Sequence, residues 1–218
     1  MKETLTTTKH KNFLESLISG DRPSCSEYAH QYIKQNHSIQ ELYENVLRTS
    51  LYDVGKLWEY NQISVATEHL AAAIVESILN EFYQDIASRE KTNKRIVLSC
   101  VEEELHQIGI KMISDVFEMN GWYSYFLGAN TPTKELVVYI RENKPDLLGI
   151  SMSLYFHLPN LDEMLQRIRE EFPDLPVLVG GQAFQHGGKE VLEKYDNVYY
   201  KSDIESTEAF INKFKENG

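Results

Sequence analysis

From Arg95 onward the chain alternates strictly between short β-branched or apolar runs and longer amphipathic stretches, a pattern few folds can satisfy. Residues 95–101, 122–127, 147–152, 176–179 and 198–200 read as strands. Residues 107–120, 134–142, 161–172, 189–195 and 206–215 read as helices following them. Strands joined through helices run parallel, because each crossover returns the chain to the same end of the sheet. The helices then cover both faces. Five strands at this length predict a flavodoxin/Rossmann-like, doubly wound parallel sheet.

The first part of the chain follows a different period. From about Lys9 to Ile86 the reading is helical throughout. Ser24-Cys25-Ser26-Glu27 and Ser38-Ile39-Gln40-Glu41 both fit S-x-x-E capping boxes. After Ser38, Leu42, Val46, Leu47, Leu51, Val54 and Leu57 recur at helical spacing. Asn61-Gln62-Ile63 interrupts that run, and Ser64 is the expected N-cap of the next. The next run carries Leu70, Ala73, Ile74, Ile78, Leu79 and Phe82. Four antiparallel helices with short connections predict a bundle. The expected organisation is therefore α/β overall, a four-helix bundle over residues 8–87 and the parallel-sheet domain over 95–218. The charged stretch Ser88-Arg89-Glu90-Lys91-Thr92-Asn93-Lys94 reads as the linker.

Composition removes several classes of function. A net charge of −11 without any basic run is the opposite of a phosphate-binding surface, so no direct nucleic-acid binding is expected. No apolar run approaches the ~18 residues of a membrane span, and Met1-Lys2-Glu3-Thr4-Leu5 lacks a secretory apolar core. Two cysteines, Cys25 and Cys100, do not make a disulfide framework. The cytoplasm is the expected compartment.

Three short pieces carry the chemistry, each just after a predicted strand. Glu104-Leu105-His106-Gln107-Ile108-Gly109 follows the first, Ser151-Met152-Ser153 the third and Gly180-Gly181 the fourth. Taken singly, each has an ordinary explanation: a surface His, two polar caps, a tight turn. Ligands of open α/β sheets bind beyond the carboxyl ends of the strands, and all three pieces map there together. Gly128-Ala129-Asn130-Thr131-Pro132 is the corresponding turn after the second strand and reads equally well as a plain connection. Cys100, His157 and His186 are lining or surface residues near other strand ends.

The three pieces and their spacing resemble the D-x-H-x-x-G, S-x-L, G-G signature of cobalamin-binding domains, with Glu104 in place of Asp and Ser153 in place of Leu. The resemblance implies that His106 coordinates cobalt from below, replacing the cofactor's own base. Glu104 would orient the imidazole, as carboxylates commonly do for metal-bound His. It implies that Gly109 lets the nucleotide tail pass close to the backbone and that Ser151 and Ser153 bond to that tail. Gly180 and Gly181, without Cβ atoms, would leave a slot for its heterocycle.

In the helical half, Trp58, Val65 and Glu68-His69 resemble the W-(x)9-E-H element in the cap of CarH-type adenosylcobalamin photoreceptors. There the Trp, a small β-branched residue and the Glu-His pair face the upper axial group. The competing reading makes Trp58 a bundle core residue and Glu68 a carboxylate favoured by the helix dipole. Two departures stand out. Only about twenty residues precede the first expected capped helix, too few for the winged helix those photoreceptors carry. Glu59 follows Trp58 where they place a His that ligates cobalt after light has removed the adenosyl group. A carboxylate cannot form that bis-imidazole adduct.

The resemblance thus implies a sensor without catalytic residues of its own. It would hold cobalamin, adenosylcobalamin in preference to methylcobalamin, and signal by light- or ligand-dependent change at a protein interface or by self-association. A corrinoid methyl carrier of a methyltransferase system is the alternative. A module redirected to haem or a bilin is a third reading, motivated by Glu59, Glu104 and Ser153.

Overall fold

The computed structural model describes residues 2–87 and 90–216. The chain divides into two units, Met1–Gln84 and Asp85–Gly218.

In the helical unit, α1 (Lys2–Ser19) ends at Gly20, whose φ of +78° favours a residue without Cβ. Helix α2 (Arg22–Lys34) starts one turn earlier than the S-x-x-E pattern suggests. Asp21 is its N-cap, accepting from Ser24 N at 3.2 Å and from Ser24 Oγ at 2.7 Å. Ser24 is therefore inside the helix. Asp, with Pro23 in the first turn, makes the stronger start signal. The Ser38 box does form: Ser38 Oγ accepts from Glu41 N at 3.1 Å and Glu41 Oε2 from Ser38 N at 2.7 Å.

That start opens α3 (Ile39–Leu42), which runs through a π-helical segment, Tyr43–Arg48, into α4 (Thr49–Glu59). The extra residue accommodated in a π turn rotates the buried face. Tyr43 and Ser50 are consequently buried with Leu42, Val46, Leu47 and Val54, while Leu51 and Leu57 are only partly covered. Ser64 caps α5 (Val65–Glu81), accepting from Thr67 N at 3.1 Å. Its buried face is Ala71, Ile74, Val75, Ile78 and Leu79; Leu70 and Ala73 are exposed. A short α6 (Tyr83–Ala87) follows.

The second unit holds β1 (Arg95–Cys100), α7 (Ile108–Met119), β2 (Tyr123–Gly128), α8 (Thr133–Asn143), β3 (Leu147–Ser151), α9 (Leu158–Glu171), β4 (Val177–Gly180), α10 (Lys189–Leu192), β5 (Val198–Tyr200) and α11 (Ile204–Glu216). All five strands are parallel, in the order β2-β1-β3-β4-β5. This is the flavodoxin-like doubly wound arrangement the alternation predicts. Central β3 is buried along its whole length, as a strand covered on both faces must be. One face packs Val97, Leu148 and Ile150 against Leu161, Leu165 and Ile168 of α9. Trp122 precedes β2 rather than opening it. It is fully buried, edge-on to Phe117 at 5.2 Å and tilted on Phe214 at 5.5 Å.

The expected linker differs from the reading above. Ser88 and Arg89 lie outside the described residues, but the segment after them belongs to the α/β unit. Thr92 N donates to Gly121 O at 2.6 Å, Lys91 Nζ to Glu118 Oε2 at 3.2 Å and Lys94 Nζ to Asp146 Oδ1 at 3.3 Å. Its charges looked like linker composition and instead serve as straps.

Ser38→Ala removes the cap acceptor at the head of α3 and is expected to destabilise the helical unit by about 1 kcal/mol. The check is a lower urea midpoint of its helical signal, with Ser38→Asp retaining the wild-type value.

Candidate functional site

Cys100, Ser151 and Gly180 lie in register on β1, β3 and β4, so the ends of three neighbouring strands coincide. Connections from β1 and β3 depart to opposite sides of the sheet, and the crevice of such folds opens between them. Val101 N donates to Ser151 O and Met152 N to Gly180 O, each at 3.0 Å, carrying the ladder one step beyond the strands.

Glu104 is fully buried at this edge. Its Oε1 accepts from His106 N at 3.0 Å and lies 2.5 Å from His106 Nδ1. Its Oε2 accepts from Ser153 N at 2.9 Å and Leu154 N at 3.0 Å. Burial pushes a carboxyl up, but the bonds from the His106 ring, the His106 backbone and the Leu154 backbone overcome it. They hold Glu104 down at about 2. The carboxylate is thus a fixed anion with donors on both oxygens.

His106 sits on the β1–α7 connection, two residues ahead of α7 rather than in its first turn, and its side chain is 46% exposed. With Nδ1 against the carboxylate, Nε2 is the ring nitrogen that could hold a metal. A carboxylate there fixes the ring's tautomer and raises its basicity as a ligand.

The connection carrying these residues is pinned on both sides. Glu103 adopts φ +70° and its N–H donates to Asn130 Oδ1 at 3.2 Å; Asn130 N donates to Glu104 O at 3.0 Å. Gln107 Oε1 accepts from Ala129 N at 3.2 Å, and a Cβ on Gly128 would come within 2.7 Å of it. Glu102 accepts from Thr133 N at 3.0 Å and Thr133 Oγ1 at 2.8 Å at the start of α8. Asn160 Nδ2 donates to Glu103 Oε2 at 3.0 Å. The Gly128–Pro132 turn is thereby part of the frame. Sequence reasoning missed Gln107, Glu102 and Asn160, because their partners come from other strand ends. Only the Gly-Ala-Asn turn carried any signal of the positive-φ backbone at Asn130.

Gly109, in the first turn of α7, is exposed, and a Cβ there would meet nothing within 4 Å. Gly180 and Gly181 pack against the backbone of neighbouring connections. A Cβ on Gly181, at φ +115°, would lie 2.2 Å from Met152 O, and one on Gly180 2.9 Å from Lys201 O. Their missing Cβ atoms first allow the ends of β3, β4 and β5 to close on one another. Ser151 is buried; Ser153 is half-buried, with its N–H on Glu104. Burial and the nearby Glu104 charge push the Cys100 thiol up to about 12, which leaves it protonated and inert.

The helical residues gather at one end of the α4–α5 hairpin. Trp58, in the last turn of α4, is 45% exposed, so it does not fill the bundle core. Val65, the first residue of α5, is exposed. Glu68, largely covered in the first turn, has Oε2 3.5 Å from Nε2 of the exposed His69. Among the described residues no group of three or more His, Cys, Asp or Glu side chains is placed to hold a metal ion. The donor set at the sheet edge is one oriented imidazole, which suits a cofactor that brings its own metal.

A doubly wound parallel sheet with an imidazole held by a buried carboxylate beyond its strand ends is a ligand-binding α/β domain by architecture. Family comparison makes the class specific. The family model described as B12 binding domain matches residues 94–212, and a second B12 binding domain model matches residues 10–82. The chain belongs to the B12-binding domain family and is, at that level, a cobalamin-binding protein. It is 27% identical over 177 residues to the HTH-type transcriptional repressor CarH of Myxococcus xanthus, covering 81% of this chain and 58% of the repressor. It is 26% identical over 152 residues to dimethylamine corrinoid protein 1 of Methanosarcina mazei, covering 68% of this chain and 70% of that protein. The monomethylamine corrinoid protein of Methanosarcina barkeri shares the fold, with a TM-score of 0.78, 12% identity and coverage of 90% and 93% of the two chains. Among the described residues no helix is long and apolar enough to cross a membrane.

Because folding holds the Glu104 carboxyl at about 2 against an ordinary value of 4.5, its contribution to stability is complete above pH 4.5. It declines as pH falls through about 2. Urea unfolding of wild type and Glu104→Gln across this range should show a stability difference that is full above pH 4.5 and shrinks toward pH 2.

Proposed function

We propose that the chain is a cytoplasmic cobalamin-dependent sensor, in which the α/β unit holds the corrinoid from below and the helical unit covers its upper ligand. The observation that carries the reading is His106 held through Nδ1 by a fully buried, anionic Glu104 at the sheet's switch point. A bound adenosylcobalamin supplies a cobalt–carbon bond that light can break.

The chain's own residues do the rest. His106 would hold the corrinoid's metal through Nε2, with Glu104 keeping the ring's orientation and tautomer. Gly109 leaves open space beside the first turn of α7 for the nucleotide tail. Ser151 and Ser153 bond to that tail, and the backbone of Gly180-Gly181 lies beside it. Trp58 and Val65, both substantially exposed, provide apolar surface for the upper ligand, with Glu68 and His69 as polar groups at its edge. For a signal to leave the protein, its states must differ in affinity for a partner or for a second copy of the chain. Glu59, exposed beside Trp58, excludes a second imidazole at that position.

A second reading, a corrinoid methyl carrier, is favoured by the similarity to dimethylamine corrinoid protein 1 and by the fold shared with the monomethylamine corrinoid protein. In that case the same lower site serves, and the upper face opens to partner enzymes in turn.

The test uses the full chain mixed with adenosylcobalamin in the dark, desalted, and followed by absorption and light scattering before and after green light. The sensor reading expects retained corrinoid, a light-driven spectral change and a change in mass. Retention with an unchanged mass and partner binding contradicts it and favours the carrier. His106→Ala is expected to weaken corrinoid retention about ten-fold or more, measured by equilibrium titration.

A further inference from the structure

Along β3 and one residue past it, Leu148, Ile150 and Met152 point into the core that packs against α9. Strand alternation puts Gly149, Ser151 and Ser153 on the opposite face. That face is closed at the level of Gly149, where a Cβ would lie 2.7 Å from Leu98 Cδ2 and 3.7 Å from Ile96 Cδ1. One level nearer the strand ends, Cys100, Ser151 and Gly180 stand side by side. A Cβ on Gly180 would meet Lys201 O at 2.9 Å and, among the described residues beyond its chain neighbours, nothing else within 4 Å. Small residues thus leave a slot above an apolar floor made by the Leu98 side chain.

Two hydroxyls stand at this level and the next. Ser151 is 5% exposed and Ser153 half-buried, and neither hydroxyl has a hydrogen-bond partner among the described residues. Other buried hydroxyls of the unit are satisfied internally. Ser99 Oγ donates to Cys100 O at 2.9 Å, Thr207 Oγ1 to Asp203 O at 2.8 Å, and Ser114 and Ser124 bond to each other at 2.8 Å. The two unspent hydroxyls sit on fixed backbone: Ser151 O accepts from Val101 N at 3.0 Å and Ser153 N donates to Glu104 Oε2 at 2.9 Å. Two residues apart on an extended path, they are roughly 7 Å from each other, within reach of one flat bicyclic ring.

We infer that this slot selects the cofactor's tail by its base, taking a purine such as adenine in preference to the dimethylbenzimidazole of cobalamin. The inference rests on the corrinoid reading above, in which Ser151 and Ser153 meet the nucleotide tail. Adenine carries ring nitrogens that accept from a serine O–H and an exocyclic amine that donates to a serine oxygen. Dimethylbenzimidazole held away from cobalt offers one ring nitrogen and two methyl groups. It can satisfy one of the hydroxyls and leaves the other covered by methyl, and a hydroxyl cut off from water without a partner is costly. Sites that hydrogen-bond a ligand discriminate strongly against an analogue lacking the bonding group. Ser153 is therefore the specificity-determining residue, since either base satisfies Ser151.

The test is equilibrium titration of the full chain with the hydroxo forms of cobalamin, of the adenine-tailed cobamide and of tail-less cobinamide. Wild type, Ser153→Leu and Ser153→Ala are compared. Wild type is expected to bind the adenine-tailed cobamide about ten-fold more tightly than cobalamin. Ser153→Leu should abolish that preference and Ser153→Ala should reduce it several-fold. Cobinamide, which has no base, should bind all three proteins alike, whereas a disturbed fold would weaken all three ligands together. Equal or tighter binding of cobalamin by wild type overturns the inference and leaves the corrinoid reading in place. So does a preference that both variants retain. Should Ser153→Leu fail to fold, Ser153→Ala, which removes a single oxygen, still decides. If wild type binds none of the three ligands, the corrinoid reading itself fails and the inference falls with it.

Discussion

A buried carboxylate organises the functional edge of this protein. Glu104 has no exposed surface, a position that costs several kcal/mol for an isolated charge, and it is stable there because four N–H donors converge on it. Those donors come from two connections separated by about fifty residues, so the ion's solvation is also the tie between them. Without that anion, His106 would be a half-exposed imidazole on an irregular loop. With it, the ring has a fixed tautomer and orientation.

Everything else at the edge serves to bring those donors together. The order β2-β1-β3 places the connections from β1 and β3 side by side, and the register aligns Cys100, Ser151 and Gly180 at one level. Gly181 allows the β4 connection to approach Met152 within a distance no Cβ could tolerate. Glu102, Gln107, Asn130 and Asn160 pin the loop from neighbouring connections, and the strained backbone at Glu103 persists because those bonds over-determine it.

Much of this was readable in the sequence because it depends on periodicity. The strand–helix alternation yielded five parallel strands, and Ser38 and Ser64 marked two helix starts by local chemistry alone. Departures arose where structure depends on partners far along the chain. Asp21 displaced Ser24 as the cap, and a π turn at Tyr43–Arg48 rotated the stripe that helical spacing had assigned. The charged stretch before β1 proved to be strapped to Gly121, Glu118 and Asp146. At the site, His106 and Glu104 stood out through their spacing, whereas the amides of Ser153 and Leu154 did not, since backbone donors leave no trace in residue identity. Glu in place of Asp reads from sequence as a slightly looser orienting group, yet its two oxygens take donors from two connections.

In the proposed sensor His106, and not the cofactor's own base, would be the lower ligand. Electron paramagnetic resonance of the cob(II)alamin-loaded protein distinguishes the two, because one axial nitrogen splits the cobalt signal. With protein labelled at histidine with nitrogen-15 and unlabelled cofactor, ligation by His106 predicts that the superhyperfine triplet collapses to a doublet. A triplet that persists would mean that the cofactor keeps its own base, and the assignment of His106 would be wrong.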